Sequence, residues 1–348
     1  MTSVQATGCA AIAMAGWLVA GALPALAQSP AGPAPEQFYT NRTIKVMVGH
    51  GPGGSYDFYA RLAADMLKKH LPAGNTVIVE NKPGGGGVVA MAFFYAQGAR
   101  DGTMLAVFPE TSAHTQVLDP ATGRWKVEQM AYIGSFAPSN SVIVRRRDAP
   151  VKTPAEMQTT TATVGCSGVT SQSFQYPAML KVLAGYKFRM VCGYPGSAEY
   201  LLALEKGEVD LVSNAWNALR VTHAKIIEQG DLVPLIQAGL KRNRELSNVP
   251  LMQDLVTEPQ AQAAITFASA GAAIGRALIA PPGLPADRVA YLRGVFDRMV
   301  ADPEMIEMAK RRGLELDPTP GVDVQKIADD IIKAPKELIE RAAKAMAG

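Results

Sequence analysis

The fold is decided by residues 43–59, Thr43-Ile-Lys-Val-Met-Val-Gly-His-Gly-Pro-Gly-Gly-Ser-Tyr-Asp-Phe-Tyr59. Thr43 to Val48 reads as a short buried strand, Gly49 to Ser55 as a Gly/Pro loop. Behind the loop, Phe58, Leu62 and Met66 fall on one helical stripe, with Tyr59, Ala63 and Leu67 beside it. The next segments repeat the order. Thr76–Glu80 is a second strand, Asn81-Lys-Pro-Gly-Gly-Gly-Gly87 a second glycine loop, 88–97 an apolar helix, and Thr103–Phe108 a third strand after the turn Arg100-Asp-Gly102. Further strands are expected at Ser141–Arg145, Ala162–Cys166, Phe188–Cys192, Val209–Val212 and Val233–Gln237, with helices between them. One of those helices opens at the capping box Thr153-Pro-Ala-Glu156. Asp302-Pro303 reads as an N-cap with proline behind it, and 323–346 as helix throughout. Alternating strands and helices give an α/β fold with mainly parallel sheets, whose ligands sit at the carboxyl ends of the strands.

Those ends are where the glycines collect. Gly49-His-Gly-Pro-Gly-Gly54 matches G-x-G-x-x-G, and Glu80 ends the next strand, 26 residues beyond Gly54, as in a dinucleotide fingerprint. Three observations weigh against a dinucleotide. The chain reads as exported, away from nicotinamide cofactors. Pro52 removes one N–H from the turn that would cradle pyrophosphate. A second glycine loop stands where the adenosine would need room. The loops still leave main-chain N–H groups uncovered at helix N-termini, a combination that attracts an anion. Gly165-Cys-Ser-Gly-Val-Thr-Ser171 and Cys192-Gly-Tyr-Pro-Gly-Ser197 repeat the arrangement in the second half. Four such turns, two per half, suggest two lobes facing each other across a carboxylate.

The 348 residues are enough for two domains, and 48% hydrophobic with 19% charged residues excludes a disordered chain. A net charge of +3 offers no basic surface for nucleic acid. The first 27 residues carry no Lys, Arg, Asp or Glu. From Cys9 an apolar run of about 19 residues ends in Ala25-Leu-Ala27, a small-x-small pattern that predicts export with cleavage before Gln28, although a basic n-region is missing and an uncleaved membrane anchor is the alternative. Cys166 and Cys192 remain beyond that point, either paired or as two buried thiols. The four histidines, His50, His70, His114 and His223, are too scattered for a metal set, and no nucleophile motif or phosphate loop with Lys occurs. No cofactor is therefore expected.

Five segments together resemble the substrate-binding receptors of tripartite tricarboxylate transporters, the Bug receptors. VGHGPGGSYD (48–57) is similar to that family's first ligand loop and VENKPGGGG (79–87) to its second. Arg100-Asp-Gly-Thr103, GYPGSAEYLLALEKGEVD (193–210) and Ala280-Pro-Pro-Gly-Leu-Pro-Ala-Asp-Arg288 match further family stretches. The resemblance implies a periplasmic-binding-protein (Venus-flytrap) fold, two α/β lobes joined by crossing hinge strands. It also implies a small carboxylated ligand, a di- or tricarboxylate or an aromatic acid, and membrane permease subunits as partner, with the receptor a monomer. Cys166 and Thr170 replace a serine and a glycine usual in the family's second-lobe loop.

The expected division is a signal peptide at 1–27, lobe 1 at 28–136 plus 238–348, and lobe 2 at 137–237. Expected ligand-binding residues are Gly53, Gly54, Ser55 and Asp57 in the first loop, Gly85 and Gly86 in the second, and Thr111 and Ser112 after the third strand. From lobe 2 come Ser167, Thr170, Ser171, Tyr194, Ser197 and Trp216. For each of these, turn formation, dipole complementation or core packing is the competing role, and His50 is a further candidate for ligand contact. The alternative function is an exported α/β enzyme working on a carboxylate in the same cleft, for which the sequence presents no convincing base or nucleophile.

Overall fold

The computed structural model describes residues 34–347. The expected signal peptide and its cleavage point lie outside them. Eleven strands form two sheets among the described residues. They are β1 Thr43–Val48, β2 Thr76–Asn81, β3 Met104–Val107, β4 Ala131–Ser135, β5 Ser141–Arg146, β6 Ala162–Cys166, β7 Phe188–Cys192, β8 Leu211–Ala215, β9 Leu232–Ala238, β10 Ala277–Ala280 and β11 Thr319–Pro320. The first sheet has the order β11-β4-β10-β3-β1-β2, the second β7-β6-β8-β5-β9.

Side-chain alternation places the cores. In β1, Ile44, Val46 and Val48 face one apolar cluster, with Leu62 and Met66 of the helix Ser55–His70 and Phe296 of the helix Ala286–Val300. Met47 faces the opposite way, with Ala106 of β3 and Phe94 of the helix Val88–Gln97, into a cluster that continues to Ile143 and Tyr176 at the second sheet. In β5, Val142 and Val144 turn to a third cluster with Leu204 and Leu219, while Ile143 turns to the second. Both faces of each sheet are thus covered, as βαβ connections require.

The sheets are mixed rather than mainly parallel. β1 runs parallel to β2 and β3, and β6 parallel to β7 and β8, but β10 is antiparallel to β3 and β4, and β5 antiparallel to β8 and β9. The antiparallel members flank the crossings between sheets: β4 leads through 136–140 into β5, and β9 returns through 239–276 to β10. The two crossings are bonded to each other, Arg276 N to Ala137 O (3.0 Å) and Phe136 N to Arg276 O (3.1 Å). Gly275 permits this: its φ is +59°, and a Cβ there would lie 2.0 Å from Ala137 O.

Two helix expectations are corrected. Only half of the Thr153 capping box forms, Glu156 N donating to Thr153 Oγ1 at 3.4 Å while Glu156 Oε2 accepts from Lys152 N (2.7 Å) rather than from Thr153 N, and only the single 3-10 turn Ala155–Gln158 follows. The β-branched run 159–161 follows and disfavours propagation. The C-terminal helix is two, Gly321–Ile332 and Lys336–Ala347, separated by a break that contains Pro335. Asp302 caps the helix Pro303–Arg311 as expected, accepting from Glu304 N at 2.9 Å. Cys166 and Cys192 are joined by a disulfide across the β6–β7 ladder, Cα atoms 4.4 Å apart. In the chain-entropy account such a closure contributes about 3 kcal/mol. No helix among the described residues is long and apolar enough to cross a membrane.

Candidate functional site

Between the sheets lies a narrow cavity of about 20 Å³, room for roughly one water molecule. His50, Gly51, Gly54, Ser55, Tyr56 and Asp57, from the turn after β1, line one wall. Ser167, Ser171, Gln172 and Ser173 after β6, Ser197 and Tyr200 after β7, and Asn214 in β8 line the other. Three helices begin at it: Ser55–His70, Gln172–Leu183 and Ser197–Glu205. Their N-caps Gly54, Ser171 and Gly196 are all extended, and none has a side-chain capping bond. First-turn N–H groups of helices from both lobes therefore point toward one space without side-chain acceptors, and their dipoles add there.

Side chains hold the turns in shape. Asp57 Oδ2 accepts from Gly53 N (3.0 Å) and Arg61 Nε (2.9 Å), and Oδ1 from Asn81 Nδ2 (3.0 Å). Burial alone would raise this carboxyl, yet the bonds from Arg61, Gly53 and Asn81 keep it below the usual range. Asp57 is thus engaged in bracing the first turn. In the second lobe Ser173 Oγ accepts from Ser167 N (3.1 Å) and bonds Ser171 Oγ (2.6 Å), so that three serine hydroxyls share one cluster.

Beneath the cavity is a wholly buried ion pair that the motif reading did not find. Arg276 Nη1 donates to Glu110 Oε2 at 2.8 Å, and Tyr56 Oη donates to the same oxygen at 2.6 Å. Arg276 Nε donates to Ser55 Oγ at 2.7 Å. The guanidinium lies over the Tyr56 ring, 4.4 Å from its centroid, and His50 stacks on Tyr56 with centroids 4.9 Å apart. Burial, and then the nearby Arg276 charge, lower His50 to about 4, so its ring is neutral near pH 7. His50 Nδ1, Gln172 Oε1 and Asn214 Nδ2 are buried without hydrogen-bond partners, and all three residues line the cavity. The signal for Asn214 was local: it stands in a strand that ends at the cleft. Arg276 and Glu110 carried no such signal, because a pairing across 166 positions is invisible to spacing.

The expected site residues separate into groups. Gly54, Ser55, Asp57, Ser167, Ser171 and Ser197 line the cavity, and Gly53 braces its turn. Gly85, Gly86, Thr111 and Thr170 instead meet one another. Thr170 Oγ1 donates to Gly85 O (2.8 Å) and lies 3.3 Å from Gly86 O, and Thr111 Oγ1 donates to Thr170 O (2.7 Å). This seam joins the lobes directly and borders a smaller void of about 10 Å³, which Ser112 also lines. Tyr194 packs edge-on to Tyr200 outside the cavity lining. Trp216 is buried, donates to Glu245 Oε2 at 2.7 Å, and lines a separate open groove. No group of three or more His, Cys, Asp or Glu suited to a metal occurs among the described residues.

A family model described as "Tripartite tricarboxylate transporter family receptor" matches residues 59–343. A UPF0065 protein of Cupriavidus necator, encoded in a gbd 5' region, is 29% identical over 97% of this chain and 98% of its own length. Among solved structures, the periplasmic binding protein BugD superimposes with a TM-score of 0.70 at 21% identity, over 87% of this chain and 98% of that one. An R. palustris protein solved with adipate gives 0.68 at 21% identity, over 87% and 97%. At these identities the structures speak for the fold, and they share it: two mixed α/β sheets in the manner of periplasmic binding proteins.

Proposed function

This chain belongs to the tripartite tricarboxylate transporter receptor family, and on that footing we propose that it is an exported, non-enzymatic receptor that closes its two lobes on a small carboxylate. The observation that carries the reading is the convergence of three helix N-termini, without side-chain caps, on one narrow space lined from both sheets. A buried carboxylate has to be fully hydrogen-bonded, and each charge-assisted bond contributes roughly 1.5–3 kcal/mol. Three or four of them reach a micromolar dissociation constant, about −8 kcal/mol. The adipate in the R. palustris relative is of the same chemical class.

In this reading Gly54, Ser55, Ser167, Ser171 and Ser197 contact the ligand, joined by His50, Gln172 and Asn214. Gly53 and Asp57 shape the first turn. Gly85, Gly86, Thr111 and Thr170 carry closure rather than recognition. Lobe 1 holds the first sheet and lobe 2 the second, with hinges at 136–140 and in 239–276. Export follows cleavage near Ala27, the receptor acts as a monomer in the periplasm, and permease subunits in the membrane are its partner.

A thermal-shift panel tests this directly: malate, succinate, adipate, citrate and benzoate against glucose and an alkylamine. At least one acid should raise the melting temperature, because a ligand bound only by the folded state stabilises it. A shift with glucose or the amine and none with any acid would overturn the carboxylate reading.

A further inference from the structure

We propose that Arg276, which does not itself line the cavity, is a positioning residue that fixes Ser55 as a hydrogen-bond donor, so that the site takes an anionic oxygen at Ser55 and disfavours an N–H donor there. The inference rests on the carboxylate reading above and adds to it a residue and a rule of discrimination.

The argument is one of hydrogen-bond polarity. A guanidinium has five N–H donors and no acceptor. Arg276 Nε lies 2.7 Å from Ser55 Oγ, so the serine oxygen must be the acceptor of that bond. The serine hydrogen then has to point elsewhere. Among the described residues it meets Asn217 Oδ1 at 3.4 Å, a long contact from the second lobe that a ligand oxygen can improve on. Ser55 lines the cavity, stands at the start of a helix, and is buried.

The direction of Arg276 is itself over-determined. Its main chain is bonded on both sides to the 136–137 crossing. Its Nη1 is held by Glu110, and its face is covered by Tyr56. Neither the arginine nor Glu110 is exposed at all. With one of its lone pairs taken by the Arg276 cation, the Ser55 hydroxyl is polarised into a stronger donor and a weaker acceptor toward the cavity. Asn214 works in the same sense: its Oδ1 accepts from Ala215 N (2.9 Å) and Tyr200 Oη (3.2 Å), which leaves its Nδ2 donor without a partner at the cavity.

The test compares each acid with its amide: succinate with succinamate, adipate with adipamate, and benzoate with benzamide, by isothermal titration. The variants are Arg276→Gln/Glu110→Gln, which removes both buried charges together so that neither is stranded, and Ser55→Ala in both backgrounds. A melting temperature and a circular dichroism spectrum establish that each variant is folded. The wild type should prefer the acid, and the double variant should lose about tenfold of that preference, one charge-assisted bond's worth. Ser55→Ala should cost affinity in the wild type and little in the double variant. An unchanged acid-to-amide ratio in the folded double variant, or an equal Ser55→Ala effect in both backgrounds, overturns the role of Arg276 and leaves the receptor reading standing. Binding of no acid by the wild type overturns the receptor reading, and this inference with it.

Discussion

The lobes meet along two seams built from the same sequence material, and they behave oppositely. At one, Gly54 faces Ser197 across the cavity: a Cβ on Gly54 would lie 2.6 Å from Ser197 Oγ, the end of a side chain that can rotate. At the other, Gly168 faces Gly85 and Gly86: a Cβ on Gly168 would lie 2.5 Å from Gly86 N and 2.6 Å from Gly85 C. Main chain cannot step aside as a hydroxyl can. Glycine at a strand tip therefore has two uses here, to bare N–H groups toward a cavity and to let two backbones touch. The first seam joins main chain once, Gly51 N to Pro195 O at 3.3 Å, and otherwise presents side chains; the second is closed by main chain and threonine hydroxyls.

The strongest way to break this contrast is to wedge the second seam. Gly168→Ala should weaken binding of the best acid in the panel by tenfold to a hundredfold, the effect of about 1–3 kcal/mol of overpacking, with the melting temperature of the free protein little changed. Small-angle scattering should show a larger radius of gyration for this variant with ligand present. Wild-type affinity would mean that the lobes need not touch there.

The first seam carries a titratable ring and the second does not, which makes pH the second probe. Burial lowers His50 to about 4, and it lowers His114, whose Nε2 lies 2.8 Å from Phe267 O, to about 4 as well. For each, the folded value is below the unfolded one, so the unfolded chain binds more protons between the two. Stability is then full above pH 6.5 and falls as pH drops from 6.5 toward 4, by up to about 3 kcal/mol per ring. Urea midpoints across this range check the sign, and His50→Gln should remove about half of the slope. Asp302, held at about 2 by Lys69, adds a loss only at lower pH.

Smaller effects follow. Thr170→Val keeps the shape of the second seam but removes the hydroxyl that donates to Gly85 O, so binding should weaken about fivefold, by about 1 kcal/mol. Gly54→Ala should likewise weaken binding only about fivefold, because its Cβ displaces a single hydroxyl, that of Ser197, and Gly54 has an ordinary φ of −103°. A Gly54→Ala defect larger than that of Gly168→Ala would invert the comparison.

Much of this was legible in the residues. The strands 43–48, 162–166 and 188–192 and the helix 88–97 have the bounds that periodicity gives, because each carries its own apolar pattern and its own punctuation by glycine. Strands β4, β10 and β11 were not legible. Ala277–Ala280 is four small or apolar residues with no alternation, and it becomes a strand only because β3 and β4 flank it. The glycine turns marked where the lobes would meet, but spacing could not distinguish a turn that lines a cavity from one that shuts on its neighbour. That depends on what stands opposite, such as Thr170 across from Gly85. The Arg276–Glu110 pair escaped because a charge in an apolar run reads as a strand end until the fold brings its partner.

The C-terminal helix Lys336–Ala347 has a consequence for motion. It follows the last helix over the first sheet, yet it packs on the helices Gln172–Leu183 and Pro259–Ser269, with Ala342 and Ala345 buried. The end of the chain is thereby strapped across the junction opposite in sequence to the crossings. Any separation of the two sheets therefore has to carry this helix along with one of them or strip Ala342 and Ala345 of their cover.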